Sequence, residues 1–176
     1  MTRRLVLLVP LALLLLFIGA VAWRLARPSD NLIRSRLEGR ALPAFVLPPA
    51  IAGKPGLASI GLATGNPRLV NIFASWCVPC IAEAPRLMRL KQEGVAIDGI
   101  AIRDRDEDVA AFLAEHGDPF ARIGSDTESK VQIALGSSGV PESFVIDGRG
   151  IIRAQHVGPI EEADLAAIRQ ALAAAR

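Results

Sequence analysis

The chain has 176 residues, enough for one domain plus an appendage, with 51% hydrophobic residues and a formal net charge of +2. That charge is too small and too dispersed to argue for a nucleic-acid partner. The hydrophobic excess is concentrated in the first two dozen residues.

From Leu5 to Trp23 the sequence reads LVLLVPLALLLLFIGAVAW without a charge, and as a helix rising roughly 1.5 Å per residue it would span about 28 Å. Arg3 and Arg4 precede the run, so the positive-inside rule leaves the N-terminus in the cytoplasm and sends the rest across the membrane. Arg24 and Arg27 weaken that bias. Ala20-Val21-Ala22 resembles a signal-peptide cleavage site, but the run exceeds an ordinary signal core and ends in Trp23, an interface-type residue. The expectation is an uncleaved, single-pass inner-membrane anchor over 1–24, a tether over 25–38 and a periplasmic domain over 39–176. Either outcome exports the domain.

Along the domain, Leu42–Leu47 is a short strand candidate, and the Gly- and Pro-rich stretch Pro48–Pro67 reads as turns around one weak strand. Leu69–Phe73 is apolar except for Asn71 and fits a buried central strand. A helix is predicted from Val78 to about Glu93, with Pro79 in its first turn and Pro85 inside. Val95–Ile102 follows as a strand and Asp106–His116 as a helix, ended by Gly117 and Pro119. Ala121–Ile123 is a strand candidate and Ser129–Leu135 a short helix. Ser143–Ile146 and Ile151–His156 form a hairpin across Asp147-Gly148-Arg149-Gly150, and Ile160–Ala174 closes the chain as a helix. This order predicts an α/β domain with a central mixed sheet flanked by helices.

The only two cysteines stand in Trp76-Cys77-Val78-Pro79-Cys80, between the central strand and the helix. A strand running into Cys-x-x-Cys at a helix start reads as a thioredoxin-like redox site. Residues three apart on a helix lie about 5 to 6 Å apart at Cβ, which a tight turn brings to the roughly 3.8 Å of a disulfide. Cys77 falls at the helix N-terminus, where unpaired N–H groups and the helix dipole stabilise a thiolate, so it is the expected attacking sulfur. Cys80, one turn deeper and less exposed, is the expected resolving thiol. A structural disulfide here would close almost no loop. Zinc would need more ligands than His116 and His156 supply at their spacing, and c-type haem attachment would need His where Ile81 stands. No metal or cofactor is expected. A Cu(I) carrier is the non-enzymatic alternative, and a general periplasmic oxidase or isomerase the enzymatic one.

The segments NIFASWCVPCIAEAP and GVPESFVIDGRG, followed by HVGP, resemble the membrane-anchored thioredoxin-like proteins of cytochrome c maturation, the DsbE/CcmG type. The resemblance covers about Gly39 to Arg176. It implies a thioredoxin-like fold with Pro141 in the cis form and the Val140 backbone presented to an extended substrate. It also implies the reducing direction, with apocytochrome c or a haem-attachment partner as substrate and a membrane thiol transporter of the DsbD or CcdA type as electron source. General thioredoxins carry a buried Asp where this chain has Asn71, which cannot accept a proton. Glu83, one turn after Cys80, and Glu142, beside Pro141, look like that type's acidic active-site positions and are the proton-transfer candidates. Trp76 is expected to pack over the site as a substrate contact, and His116 and His156 to be structural or surface residues.

Overall fold

In the computed structural model, which describes the backbone of 2–25, 32–33 and 37–176 and the side chains of 9–24 and 37–176, the chain divides into two units, 1–30 and 31–176. In the first unit the N-terminal apolar run lies in a helix, α1 (Thr2–Leu25), which continues through Pro10. Its described large apolar side chains, such as Leu16 and Phe17, are exposed. Among the described residues no helix is long and apolar enough to cross a membrane.

The second unit begins with β1 (Leu32–Ile33), β2 (Val46–Leu47), β3 (Leu57–Ala58) and a 3₁₀ turn at Ser59–Leu62. The expected tether lies largely outside the described residues. Within it, however, Leu32 and Ile33 pair with His156 and Gln155, so the sheet takes its first strand from before Gly39. The strand expected over Leu42–Leu47 is shorter than predicted, because its two ends serve different partners. Ala41 bridges to Ile151, while Val46 and Leu47 pair with Ala58 and Leu57.

Then follow β4 (Arg68–Phe73), α2 (Val78–Gln92), β5 (Ile97–Ile102), α3 (Asp106–His116), β6 (Ile123–Asp126), α4 (Lys130–Ala134), β7 (Glu142–Ile146), β8 (Ile152–Val157) and α5 (Leu165–Ala174). The six-stranded sheet has the order β1-β8-β7-β4-β5-β6. β4 runs parallel to β5 and antiparallel to β7, so the sheet is mixed. Every residue of β4 is buried, as a near-continuous apolar run inside a sheet requires.

Period-two alternation puts Asn71 and Phe73 of β4 on one sheet face. α2 covers that face through Glu83, which bonds Asn71, and α3 through Phe112, whose ring lies 5.7 Å from Phe73. The stack Phe73–Phe120, at 4.7 Å, fills the same layer. The strand expected over Ala121–Ile123 shares Ile123 with β6 and runs on to Asp126, while Ala121 and Arg122 lead into it with backbone bonds to Ile97 and Gly99 of β5. The opposite face carries Glu142 and Phe144.

Two polar devices hold the sheet. At its buried centre, Asp98 of β5 accepts from Arg68 of β4 and, through both carboxylate oxygens, from Arg122 before β6. In the β7–β8 turn, Asp147 accepts from the N–H groups of Arg149 and Ile151, each at 2.9 Å, and from Arg153. Burial pushes the Asp147 carboxyl up, but these donors outweigh it and hold it below the ordinary range. Gly150 takes φ +82° to close that turn, and a Cβ on Gly148 would lie 2.4 Å from the Gly65 backbone.

Candidate redox site

β4 ends at Phe73 and delivers Ser75-Trp76-Cys77 to the start of α2. The loop after β5 fixes this approach. Asp104 accepts from the Ser75 amide at 2.6 Å and its hydroxyl at 2.7 Å, and the Arg103 carbonyl accepts from the Trp76 indole at 3.2 Å. Cys77 is the N-cap of α2, with Pro79 following in the first turn, where a missing N–H costs nothing. Its sulfur accepts from the Cys80 amide at 3.2 Å, which it shares with the Cys77 carbonyl at 3.0 Å.

Cys77 and Cys80 are joined by a disulfide, with Cα atoms 5.3 Å apart. Both are buried, at 4% and 2% exposure, so the expected difference in accessibility is small in the oxidised form. What separates them is position: Cys77 caps the helix, while Cys80 points into the protein beside Glu83. Trp76, Val78 and Ile81 form an exposed apolar rim around the pair. Trp76 therefore stands out from the surface, held by its indole N–H.

Cys80, Asn71 and Glu83 line one small internal cavity of about 10 Å³, together with Phe73 and Phe112. That is near the lower limit for holding a single water. Glu83 is 1% exposed. Its Oε1 accepts from Asn71 Nδ2 at 2.9 Å and its Oε2 from the Ile160 amide at 3.0 Å. Burial pushes the Glu83 carboxyl up from 4.5 to about 7, against the Ile160 and Asn71 hydrogen bonds, which favour the charged form. Asn71 does not replace a proton acceptor; it holds one.

Glu142 is buried too, but elsewhere. In register it opposes Ile72, not Asn71, so it lies on the other sheet face. There it accepts from the Ser138 amide and hydroxyl and from Gln155. The structure thus brings Glu83, but not Glu142, to Cys80. The Val140–Pro141 peptide is cis, as the resemblance implied. It leads into β7, whose first residues pair with the end of β4, so it stands at the same end of the sheet as Cys77. His116 packs edge-on against Phe112 at 5.1 Å. Among the described residues no cluster of His, Cys, Asp and Glu could hold a metal ion.

Reading the sequence alone missed Asp104, Ser143 and the Ile160 amide. Ser143 accepts from Asn71 at 3.0 Å, and the available signal was that Asn71 and Ser143 are polar residues inside otherwise apolar strands. Nothing in the sequence marks the Ile160 amide, which acts through backbone alone.

A Redoxin family model matches residues 37–172. The chain is 39% identical over 153 residues to the thiol:disulfide interchange protein HelX of Rhodobacter capsulatus, covering 87% of this chain and 86% of that one. It is 37% identical to the thiol:disulfide interchange protein DsbE of Pseudomonas fluorescens, over 97% of this chain and 96% of the other. Among solved structures, a DsbE-type thiol:disulfide interchange protein from Chlorobium tepidum superposes with a TM-score of 0.62 at 29% identity, covering 78% of this chain and 96% of that one. With a disulfide-forming Cys-x-x-Cys at the head of α2 in a thioredoxin-like fold, the chain belongs to the redoxin family as a thiol:disulfide oxidoreductase of the DsbE type.

Proposed function

We propose that this protein is a membrane-anchored periplasmic reductant that keeps the haem-binding cysteines of apocytochrome c, or of a haem-attachment partner, as thiols. The observation that carries the chemistry is the buried Glu83 lining one cavity with Cys80. In the reduced protein the Cys77 thiolate attacks the substrate disulfide, forms a mixed disulfide and expels one substrate thiolate. Glu83 takes the Cys80 proton as Cys80 attacks Cys77 Sγ, which releases the second substrate sulfur and leaves the Cys77–Cys80 disulfide. Two electrons pass from this dithiol to the substrate, and a membrane thiol transporter of the DsbD or CcdA type returns them. A general base is most effective when its pKa lies near the working pH, and about 7 meets that condition.

Of the two acidic candidates, Glu83 is favoured because it lines a cavity with Cys80, whereas Glu142 lies on the other face of the sheet. The exposed rim of Trp76, Val78 and Ile81, with the Val140 backbone beside the cis proline, suits an extended peptide. Support for the export and anchor reading comes from the uncharged run Leu5–Trp23 behind Arg3 and Arg4, and from the match to the P. fluorescens protein, which covers 97% of this chain.

A Cys80→Ala variant mixed with an oxidised apocytochrome is expected to accumulate a mixed disulfide through Cys77, visible on a non-reducing gel and lost on adding dithiothreitol. Failure to trap the apocytochrome, together with a reduction potential near the roughly −120 mV of a strong oxidant, would sink the reductase reading in favour of a general oxidase.

A further inference from the structure

On the sheet face that α2 covers, register sets three polar side chains in a row across three strands. Asn71 of β4 opposes Ser143 of β7, and Ser143 opposes His156 of β8. All three are buried. Glu83 grips one end of the row through Asn71, and His156 forms the other. His156 Nε2 lies 3.2 Å from the Pro159 carbonyl oxygen. A carbonyl only accepts, so Nε2 carries a proton and donates it. Nδ1 has no hydrogen-bond partner among the described residues. Its cross-strand neighbour Ser143 accepts from Asn71.

The Pro159 carbonyl and the Ile160 N–H belong to one planar peptide group. His156 donates to its oxygen, and its N–H donates to Glu83 Oε2 at 3.0 Å. One rigid unit therefore separates the imidazole from the carboxylate, and a donor on the carbonyl polarises the amide so that its N–H binds more strongly. We propose that His156 is a positioning residue of the redox site, acting on Glu83 through the Pro159–Ile160 peptide. The inference rests on Glu83 being the base for Cys80. The titratable groups facing this system are Cys80, when reduced, beside Glu83, and Asp164 at 3.7 Å from His156 Nε2. Because the Ile160 bond favours the charged carboxylate, weakening it raises the Glu83 midpoint.

Two variants separate this role from general packing. In His156→Gln the amide nitrogen can take the place of Nε2 and keep the Pro159 bond; in His156→Asn it is too short to do so. In the full-length oxidised protein, a carbon-13 carboxyl titration of Glu83 is expected to shift upward by about half a pH unit or more for His156→Asn, a severalfold change in its proton equilibrium. His156→Gln should stay near the wild-type midpoint. Closure of the reduced Cys77–Cys80 pair by a small-molecule disulfide, which takes up the two electrons and leaves as two thiols, should slow near neutral pH in His156→Asn but not when Glu83→Gln is already present. An unmoved Glu83 midpoint in His156→Asn, equal shifts in both variants, or slowing that persists in the Glu83→Gln background would each overturn the proposal. No apocytochrome enters these measurements, so loss of the substrate reading would leave them intact.

Discussion

Glu83 faces two opposing pressures: removal from water disfavours its charge, while the Ile160 and Asn71 donors hold it. Burial wins, and the consequence for stability has a definite sign. A carboxyl at about 7 when folded and about 4.5 when unfolded binds more protons in the native state between those values. Stability from this group is full below about pH 4.5 and is lost as pH rises through about 7, by on the order of 3 kcal/mol. Glu83→Gln removes that loss, so its stability relative to wild type should grow between pH 5 and pH 8 in denaturant titrations. The same variant should slow closure of the reduced Cys77–Cys80 pair by a small-molecule disulfide by roughly a hundredfold at pH 7, the low end of what a general base supplies. Parallel stability curves for the two proteins would remove the raised Glu83 carboxyl, and an unchanged closure rate would remove Glu83 as the base. The cysteines and Glu83 were legible because their spacing of three puts them on one helix face. That Asn71 is the residue bonding Glu83 was not, since their meeting depends on how α2 crosses β4.

Elements with strong local signals came out as read, and those with non-local duties did not. α3 spans Asp106–His116 as expected, with acidic residues in its first turn and Gly117 closing it. α5 starts at Leu165 and not at Ile160: the Ile160 amide bonds Glu83, and Glu161 and Asp164 close a turn on each other, the Asp164 amide donating to the Glu161 carbonyl and the Glu161 amide to the Asp164 carboxylate. A local pattern that fails beside the redox site is the mark of a segment serving function. The Arg68–Asp98–Arg122 cluster was equally invisible, since strand periodicity says nothing about which charges meet across a sheet. Asp98 is fully buried between two guanidinium groups, so Asp98→Ala should leave cations without their counter-charge and cost about 3 kcal/mol or more. A paired replacement, Arg68→Met with Asp98→Leu, should cost less than the single change. Denaturant unfolding of both variants checks this, and equal costs would mean the cluster adds nothing beyond packing.

At the scale of the whole molecule, the dithiol can act as a reductant outside the cytoplasm only if electrons reach it from a donor in the membrane. An anchor raises the local concentration of the site at that surface, so retention of residues 1–24 is a functional matter as much as a topological one. The uncharged run Leu5–Trp23 and the Ala20-Val21-Ala22 site make opposite predictions for the mature chain. If the run is an anchor, the protein isolated from a Gram-negative host should sediment with membranes, resist a carbonate wash and show the mass of the full chain. Replacing residues 1–25 with a cleavable signal peptide should then release the domain to the soluble periplasm. Its exchange rate with a small disulfide should be unchanged, but its steady state in the cell should be more oxidised. A soluble mature protein beginning at Trp23 would show instead that the domain meets its electron donor by diffusion.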